Sequence, residues 1–199
     1  MQEYSFDFSD IDTLKSYFRA QLDPKGTCDR IYFPPDIGDG YLSYYKISPE
    51  IFLLINNYKA NTDISYIRNP IAEKDIILHF RKYILDHRIE NDKIISRYSD
   101  SYLPGNMRCM DSQQGEKVVI SKGVEVKSTM IVLKSSYADH FFSKSSAMIK
   151  MVDNYIKHSN KFIDKFYLSY KQSVLFDQIV NPDVNRVCLL YTSPSPRDA

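Results

Sequence analysis

Between residues 29 and 133 the chain is a succession of short runs rich in aromatic and β-branched residues, each cut off by a turn signal. Many short strands with frequent turns form the pattern of a sandwich or barrel. The clearest part is residues 38–63, GDGYLSYYKISPEIFLLINNYKANTD. It opens on a Gly-Asp-Gly turn. Two runs of strand length follow, 41–47 and 51–58, separated by Ser48, Pro49 and Glu50. Glycine tolerates the positive φ of tight turns, and proline fixes φ and removes a donor. The segment predicts a hairpin in a half-buried sheet.

The remaining runs extend that sheet. Residues 29–33 predict a short strand closed by Pro34 and Pro35. The strand containing Asn56, Asn57 and Tyr58 is expected to bulge or leave the sheet near Ala60 and Asn61. Residues 76–84, IILHFRKYI, alternate Leu78, Phe80, Lys82 and Ile84 against Ile77, His79, Arg81 and Tyr83. Both faces carry bulk, so periodicity leaves strand and helix open there. Weaker strands are expected within 89–98 and 107–110. Residues 116–121 and 124–133 flank Lys122-Gly123, a hairpin signal, with Val124, Val126, Ser128, Met130 and Val132 on one face.

Helical spacing appears at both ends. Ile11, Leu14, Phe18 and Leu22 recur on one side of residues 10–22, behind a Ser9 or Asp10 cap, and the helix should stop at Asp23-Pro24. Its apolar stripe should cover one end or face of the sheet. Past Ser135 the texture turns helical: a capped short helix over 135–142, a segment over 147–156, and a long amphipathic pattern over 161–180. The expected division is a β domain over 1–134 with its N-terminal helix, a helical segment over 135–187, and a tail over 188–199.

Bulk properties exclude more than they assign. The formal net charge is +1, which gives no electrostatic argument for nucleic acid or membrane binding. No apolar run approaches the ~20 residues needed to cross a bilayer, and the acidic start MQEYSFDFSD lacks signal-peptide order. Three scattered cysteines, Cys28, Cys109 and Cys188, make neither a disulfide framework nor a zinc site, so a reducing cytoplasm is the default expectation. The lysines among the helical positions read as a solvated face rather than a DNA-binding one.

Motifs for chemistry are absent. The four histidines, His79, His87, His140 and His158, form no ligand pair by local spacing. There is no phosphate loop, no nucleophile elbow, and no histidine near Cys109 in sequence to activate it. The expectation is no enzyme, no metal and no cofactor. What stands out is aromatic content, 16 Tyr and 11 Phe without Trp. Tyrosine has an apolar body and a polar tip, which suits pocket walls and interfaces. Tyr41, Tyr44, Tyr45, Phe52 and Tyr58 lie on consecutive predicted strands and are candidate walls of a small-ligand pocket. His79 is a candidate to face the same interior.

The order of these pieces resembles the N-terminal regulatory region of AraC-type transcription regulators. The resemblance runs over residues 4–187 and rests on the Tyr17-Phe18 helix, the block from Pro34 to Asp63, the paired runs over 117–133 and the helical tail. It implies a cupin-like β-barrel or jelly roll followed by C-terminal helices. It further implies binding of a small-molecule effector and a homodimer, with Phe166, Tyr170, Val174 and Leu175 as candidate subunit contacts. DNA would be bound only through a helix-turn-helix domain that residues 1–187 lack. Metal-dependent cupins are similar too, but their clustered histidines and glutamate have no counterpart near residues 41–58. The alternative is a small cupin-type sugar-binding protein or enzyme using His79 with Glu73 or Asp75. Residues 188–198, CLLYTSPSPRD, resemble a translated sequencing-library adapter, which implies a foreign tail after Val187.

Overall fold

The computed structural model describes residues 1–7, 10–25, 30–73, 75–82, 86–90, 93–97, 106–137, 164–167 and 169–180. The strands are β1 (Gln2–Asp7), β2 (Arg30–Tyr32), β3 (Gly38–Ser48), β4 (Ile51–Ala60), β5 (Ile64–Asn69) and β6 (Ile76–Lys82). They continue as β7 (Asp86–Glu90), β8 (Lys93–Arg97), β9 (Asn106–Asp111), β10 (Glu116–Ile120), β11 (Glu125–Leu133) and β12 (Asp164–Tyr167). The helices α1 (Ile11–Leu22) and α2 (Tyr170–Val180) lie among the described residues, with one further helical turn at 135–137. The fold is mainly β, as the turn-rich sequence predicts. The strands form two open sheets, of seven strands in the order β12-β9-β6-β11-β4-β3-β2 and of five in the order β1-β5-β10-β8-β7, and neither closes into a barrel.

The β3–β4 hairpin forms as expected, with Tyr44 opposite Leu54 and a register shift between Lys46 and Ser48. Gly40 has φ +134°, and a Cβ there would collide with the Asn57 carbonyl oxygen and Tyr58 Cα, so the hairpin requires glycine at this position. Residues 76–82, ambiguous by periodicity, form a central strand between β9 and β11.

The second expected hairpin does not form. β10 joins the five-stranded sheet between β5 and β8, whereas β11 joins the seven-stranded sheet between β4 and β6. The Lys122-Gly123 turn is a crossing between sheets. Gly123 donates its N–H to the Ala60 carbonyl (2.7 Å), and Ala60 donates back to the Val124 carbonyl (2.9 Å). The crossing is therefore laced to the β4 end, where the chain also changes sheet on its way to β5. Lys122 N–H donates to Asp63 Oδ1 at 2.8 Å and ties the two crossings together. Turn chemistry specifies a reversal but not which edge the next strand meets.

A second correction concerns the long helix expected over 161–180. Residues Asp164–Tyr167 are strand β12, antiparallel to β9 with Phe166 opposite Met107, and the helix spans only Tyr170–Val180. Backbone pairing with an available strand edge overrides helical spacing here. Of the short helix expected over 135–142, residues 135–137 are helical; its remainder, the helix expected over 147–156, the side chain of His87, His140, His158 and the tail 188–199 lie outside the described residues.

The sheets share one core. Strand alternation sends Leu42, Tyr44, Phe52, Leu54, Tyr58, Val126 and Val132 of the large sheet inward, against Tyr4, Ile64 and Ile120 of the small one. α1 packs on β1, β2 and β3 through Ile11, Leu14, Phe18 and Leu22. Asp10 caps it by accepting from Thr13 N–H at 2.9 Å. α2 lies on the outer face of the large sheet, with Phe176 and Val180 against Phe80 and Met107.

Candidate functional site

Between the two sheets lies a cavity of ≈ 60 Å³. Its apolar part is formed by Leu42 and Leu54 from β3 and β4, Val126 from β11, Val118 from β10, and Phe18 from α1. Its polar part gathers where β5, β6, β10 and β11 approach: Arg68, His79, Glu116, Ser128 and, from β4, Asn56. Strand register builds this division. Across the large sheet, Arg81, Ser128 and Asn56 stand in one cross-strand row, and Arg108 and His79 stand side by side in the next. On the small sheet Arg68 is directly opposite Glu116.

The polar part is deeply buried. Arg81, Arg108 and Ser128 are fully buried, and Arg68, His79 and Glu116 nearly so. Glu116 Oε1 accepts from Arg108 at 2.7 Å and joins the small sheet to the large one across the interior. Burial alone would raise the Glu116 pKa, but Arg108, Arg68 and Arg81 outweigh it and hold the carboxyl well below its ordinary range. Glu116 is therefore an anion at any ordinary pH. His79 moves downward too, first through burial and then through Arg81, with Arg108 and Arg68 adding to the effect against Glu116. It is a neutral imidazole with one N–H and one lone pair to offer. Neither of its ring nitrogens has a hydrogen-bond partner among the described residues. Asn56 donates to Ser128 Oγ at 2.8 Å, which orients the pair beside it.

Of the aromatic candidates, Tyr44 and Tyr58 line the cavity, and His79 does as well. Burial, reinforced by Tyr66, pushes the Tyr44 phenol well up. Phe52 points inward two residues before Leu54 and packs in the core without lining the cavity. Tyr41 and Tyr45 do not line it. A strand turns alternate residues to opposite faces, so Tyr44 excludes both of them from its own side. Tyr41 donates from its hydroxyl to the Val180 carbonyl at 3.3 Å and carries the Arg30 guanidinium 4.4 Å above its ring. It holds α2 in place.

The alternative acid partners for His79 are not assembled with it. Glu73 is exposed. Asp75 is buried but occupied, accepting from Lys134 Nζ at 2.8 Å and from Ser135 N–H at 3.1 Å. Among the described residues, no three His, Cys, Asp or Glu side chains are grouped to hold a metal ion. No helix among them is long and apolar enough to cross a membrane.

No family model matches the chain, and no curated protein or solved structure matches it significantly.

The buried charges were the part that spacing alone did not expose. Arg81 alternates with His79 in sequence, and Ser128 interrupts an otherwise apolar face of β11. Both were signals of a polar interior. Arg68, Arg108 and Glu116 carried none, because they come from three strands brought together only by the sheet crossings.

The outer face bears on assembly. Tyr170, Val174 and Leu175 project from α2 with 85, 38 and 58% of their surfaces exposed, while Phe176 and Val180 face the sheet. Phe166 lies on β12, and its side chain is outside the described residues. The C-terminal end of α2 is pinned by Asn57, which donates to the Val180 carbonyl at 3.0 Å alongside Tyr41. Asn57 and Asn56 are neighbours on β4, one pointing to the helix and the other into the cavity.

Proposed function

We propose that this chain is a small-molecule sensing and dimerising module, the effector-binding region of an AraC-type transcription regulator, and not a catalyst. The observation that carries the ligand-binding part is the cavity between the sheets, apolar on one side and polar on the other, with His79, whose ring nitrogens have no hydrogen-bond partner among the described residues, on its wall. The cupin-like and regulator parts of the reading come from the resemblance in residue order. The route from ligand to assembly is short. Asn56 and Leu42 line the cavity, and their sequence neighbours Asn57 and Tyr41 hold the end of α2. A shift of β3 and β4 on ligand binding would move the helix that bears the exposed Tyr170, Val174 and Leu175.

Self-association through α2 is tested by sedimentation velocity of the full chain. A dimer is expected at micromolar concentration, and Leu175→Glu should shift it to monomer with the thermal midpoint of the monomer preserved. A wild-type chain that stays monomeric at high concentration would contradict the dimer. The small cupin-type sugar-binding protein or enzyme is the less favoured reading, because neither Glu73 nor Asp75 joins His79 at the cavity.

A further inference from the structure

The cavity is small. A cavity of roughly 150 Å³ admits benzene, and this one measures ≈ 60 Å³. An occupant that fits without opening the sheets has only a few heavy atoms. The charged groups around it already have work. Arg108 donates to Glu116 Oε1 at 2.7 Å, and Arg68 donates to the Ser112 carbonyl at 3.5 Å. An anion or a cation would have to draw on groups that are engaged, and a buried charge without a partner of its own is costly. That favours a neutral occupant.

The neutral polar groups narrow its chemistry. Strand register sets two adjacent rows across the large sheet, Leu54–Met130–His79 and Asn56–Ser128–Arg81. His79 and Ser128 are therefore diagonal neighbours on β6 and β11, with backbones about 7–8 Å apart, and both line the cavity. One small molecule can touch the two together. Ser128 Oγ already accepts from Asn56 Nδ2 at 2.8 Å, which leaves the Ser128 proton to donate. The neutral imidazole of His79 carries a lone pair on one nitrogen, and neither ring nitrogen has a hydrogen-bond partner among the described residues. A hydroxyl group completes this chain: it accepts from Ser128 and donates to the His79 lone pair. A ketone or aldehyde accepts but cannot donate. A hydrocarbon does neither and leaves both partners unmet. A water molecule completes the chain but makes no use of the wall of Leu42, Leu54, Val126 and Met130, which an alkyl chain would fill.

We propose that the cavity binds a short neutral alcohol of about two to four carbons, its hydroxyl bridging Ser128 and His79 and its alkyl chain against Leu54, Val126 and Met130. The proposal rests on the ligand-binding reading above and assigns its ligand class. Binding is reversible, and no covalent bond forms or breaks.

The test is the thermal unfolding midpoint of the full chain titrated with 1-propanol and 2-propanol at millimolar concentrations, below the range in which alcohols act as co-solvents. Acetone has the shape of 2-propanol without its donor and is the first control. The others are 1-hexanol, for length, and sodium propionate against sodium chloride at matched ionic strength, for charge. The expected result is a saturable rise with both propanols. Acetone should need at least about tenfold more than 2-propanol for the same rise, and neither 1-hexanol nor propionate should give a saturable one. His79→Phe should remove the 1-propanol shift. If that variant does not fold, Ser128→Ala, one oxygen smaller, should weaken binding about fivefold. Equal shifts from acetone and 2-propanol would overturn the hydroxyl assignment and leave a small-ligand cavity standing. A saturable rise with propionate alone would overturn the neutral assignment and likewise leave the ligand-binding reading standing. A 1-propanol shift unchanged in folded His79→Phe or in Ser128→Ala would overturn the bridging site. If no compound shifts the midpoint, this proposal fails; if Ser128→Val also raises it, the cavity is a packing defect and the ligand-binding reading fails as well.

Discussion

The two halves of the interior are built from opposite materials. Beneath α1, Leu14 and Phe18 meet Tyr4 and Tyr44 in an aromatic cluster, with Phe18 and Tyr44 ring centroids 6.2 Å apart. Beneath β6 and β9 the same two sheets enclose Arg81, Arg108, Glu116 and His79. The first half stabilises the fold by removing apolar surface from water, about 1.5–3 kcal/mol for each large side chain. The second half does no such thing. Desolvating an ion pair costs about as much as the pair returns, so a buried salt bridge is weak evidence for stability. One half therefore explains why the sheets stay together. The other is explained, on the proposed ligand-binding reading, by what enters between them.

Breaking each half should separate these roles. The largest loss is expected for Phe18→Ala, about 4 kcal/mol in urea unfolding, because a ring in contact with Tyr4, Phe6, Tyr44 and Tyr66 leaves a void that α1 cannot fill. Arg108→Met alone should cost about 3 kcal/mol by leaving Glu116 buried without its 2.7 Å partner. A loss under about 1 kcal/mol would mean that Arg68 and Arg81 suffice for Glu116.

The smallest effect sharpens the comparison through pH. His79 has its pKa lowered in the folded protein by burial and by Arg81, against about 6.5 when unfolded. Below pH ~6.5 the unfolded chain binds a proton that the folded chain refuses, so His79 makes stability fall with falling pH, by at most about 1.4 kcal/mol per unit. His79→Gln should flatten that part of the stability profile between about pH 6.5 and 5. Glu116 acts in the same direction but only below its unfolded value of about 4.3, so the two windows are distinct. Wild type and variant with the same slope above pH 5 would place His79 in solvent contact rather than in a dry interior.

Much of this arrangement was legible in order along the chain, and less of it across the chain. The stripe of Ile11, Leu14, Phe18 and Leu22 predicts α1 and its buried face, because helical spacing is a local property. The β3–β4 hairpin is equally local. Strand β1 carried too short a pattern to be recognised, and its parallel pairing with β5 joins residues far apart in sequence. The crossing at Gly123 looked like a reversal, since a turn residue does not record which sheet the next strand joins. The same limit split the tyrosines. Tyr41, Tyr44 and Tyr45 are alike in composition, but only register decides that Tyr44 faces the cavity while Tyr41 holds α2. The buried charges were the least legible, because a lone Arg or Glu on a strand reads as solvent-facing until its neighbours are known.

The account stands on the claim that the charged half serves a ligand and not the fold. The direct measurement is the unfolding free energy of one variant, Arg108→Met combined with Glu116→Leu, whose wild-type side chains pair at 2.7 Å. The expected result is a stability within about 1 kcal/mol of wild type, well above that of Arg108→Met alone. A double variant that is several kcal/mol less stable than wild type would contradict the claim.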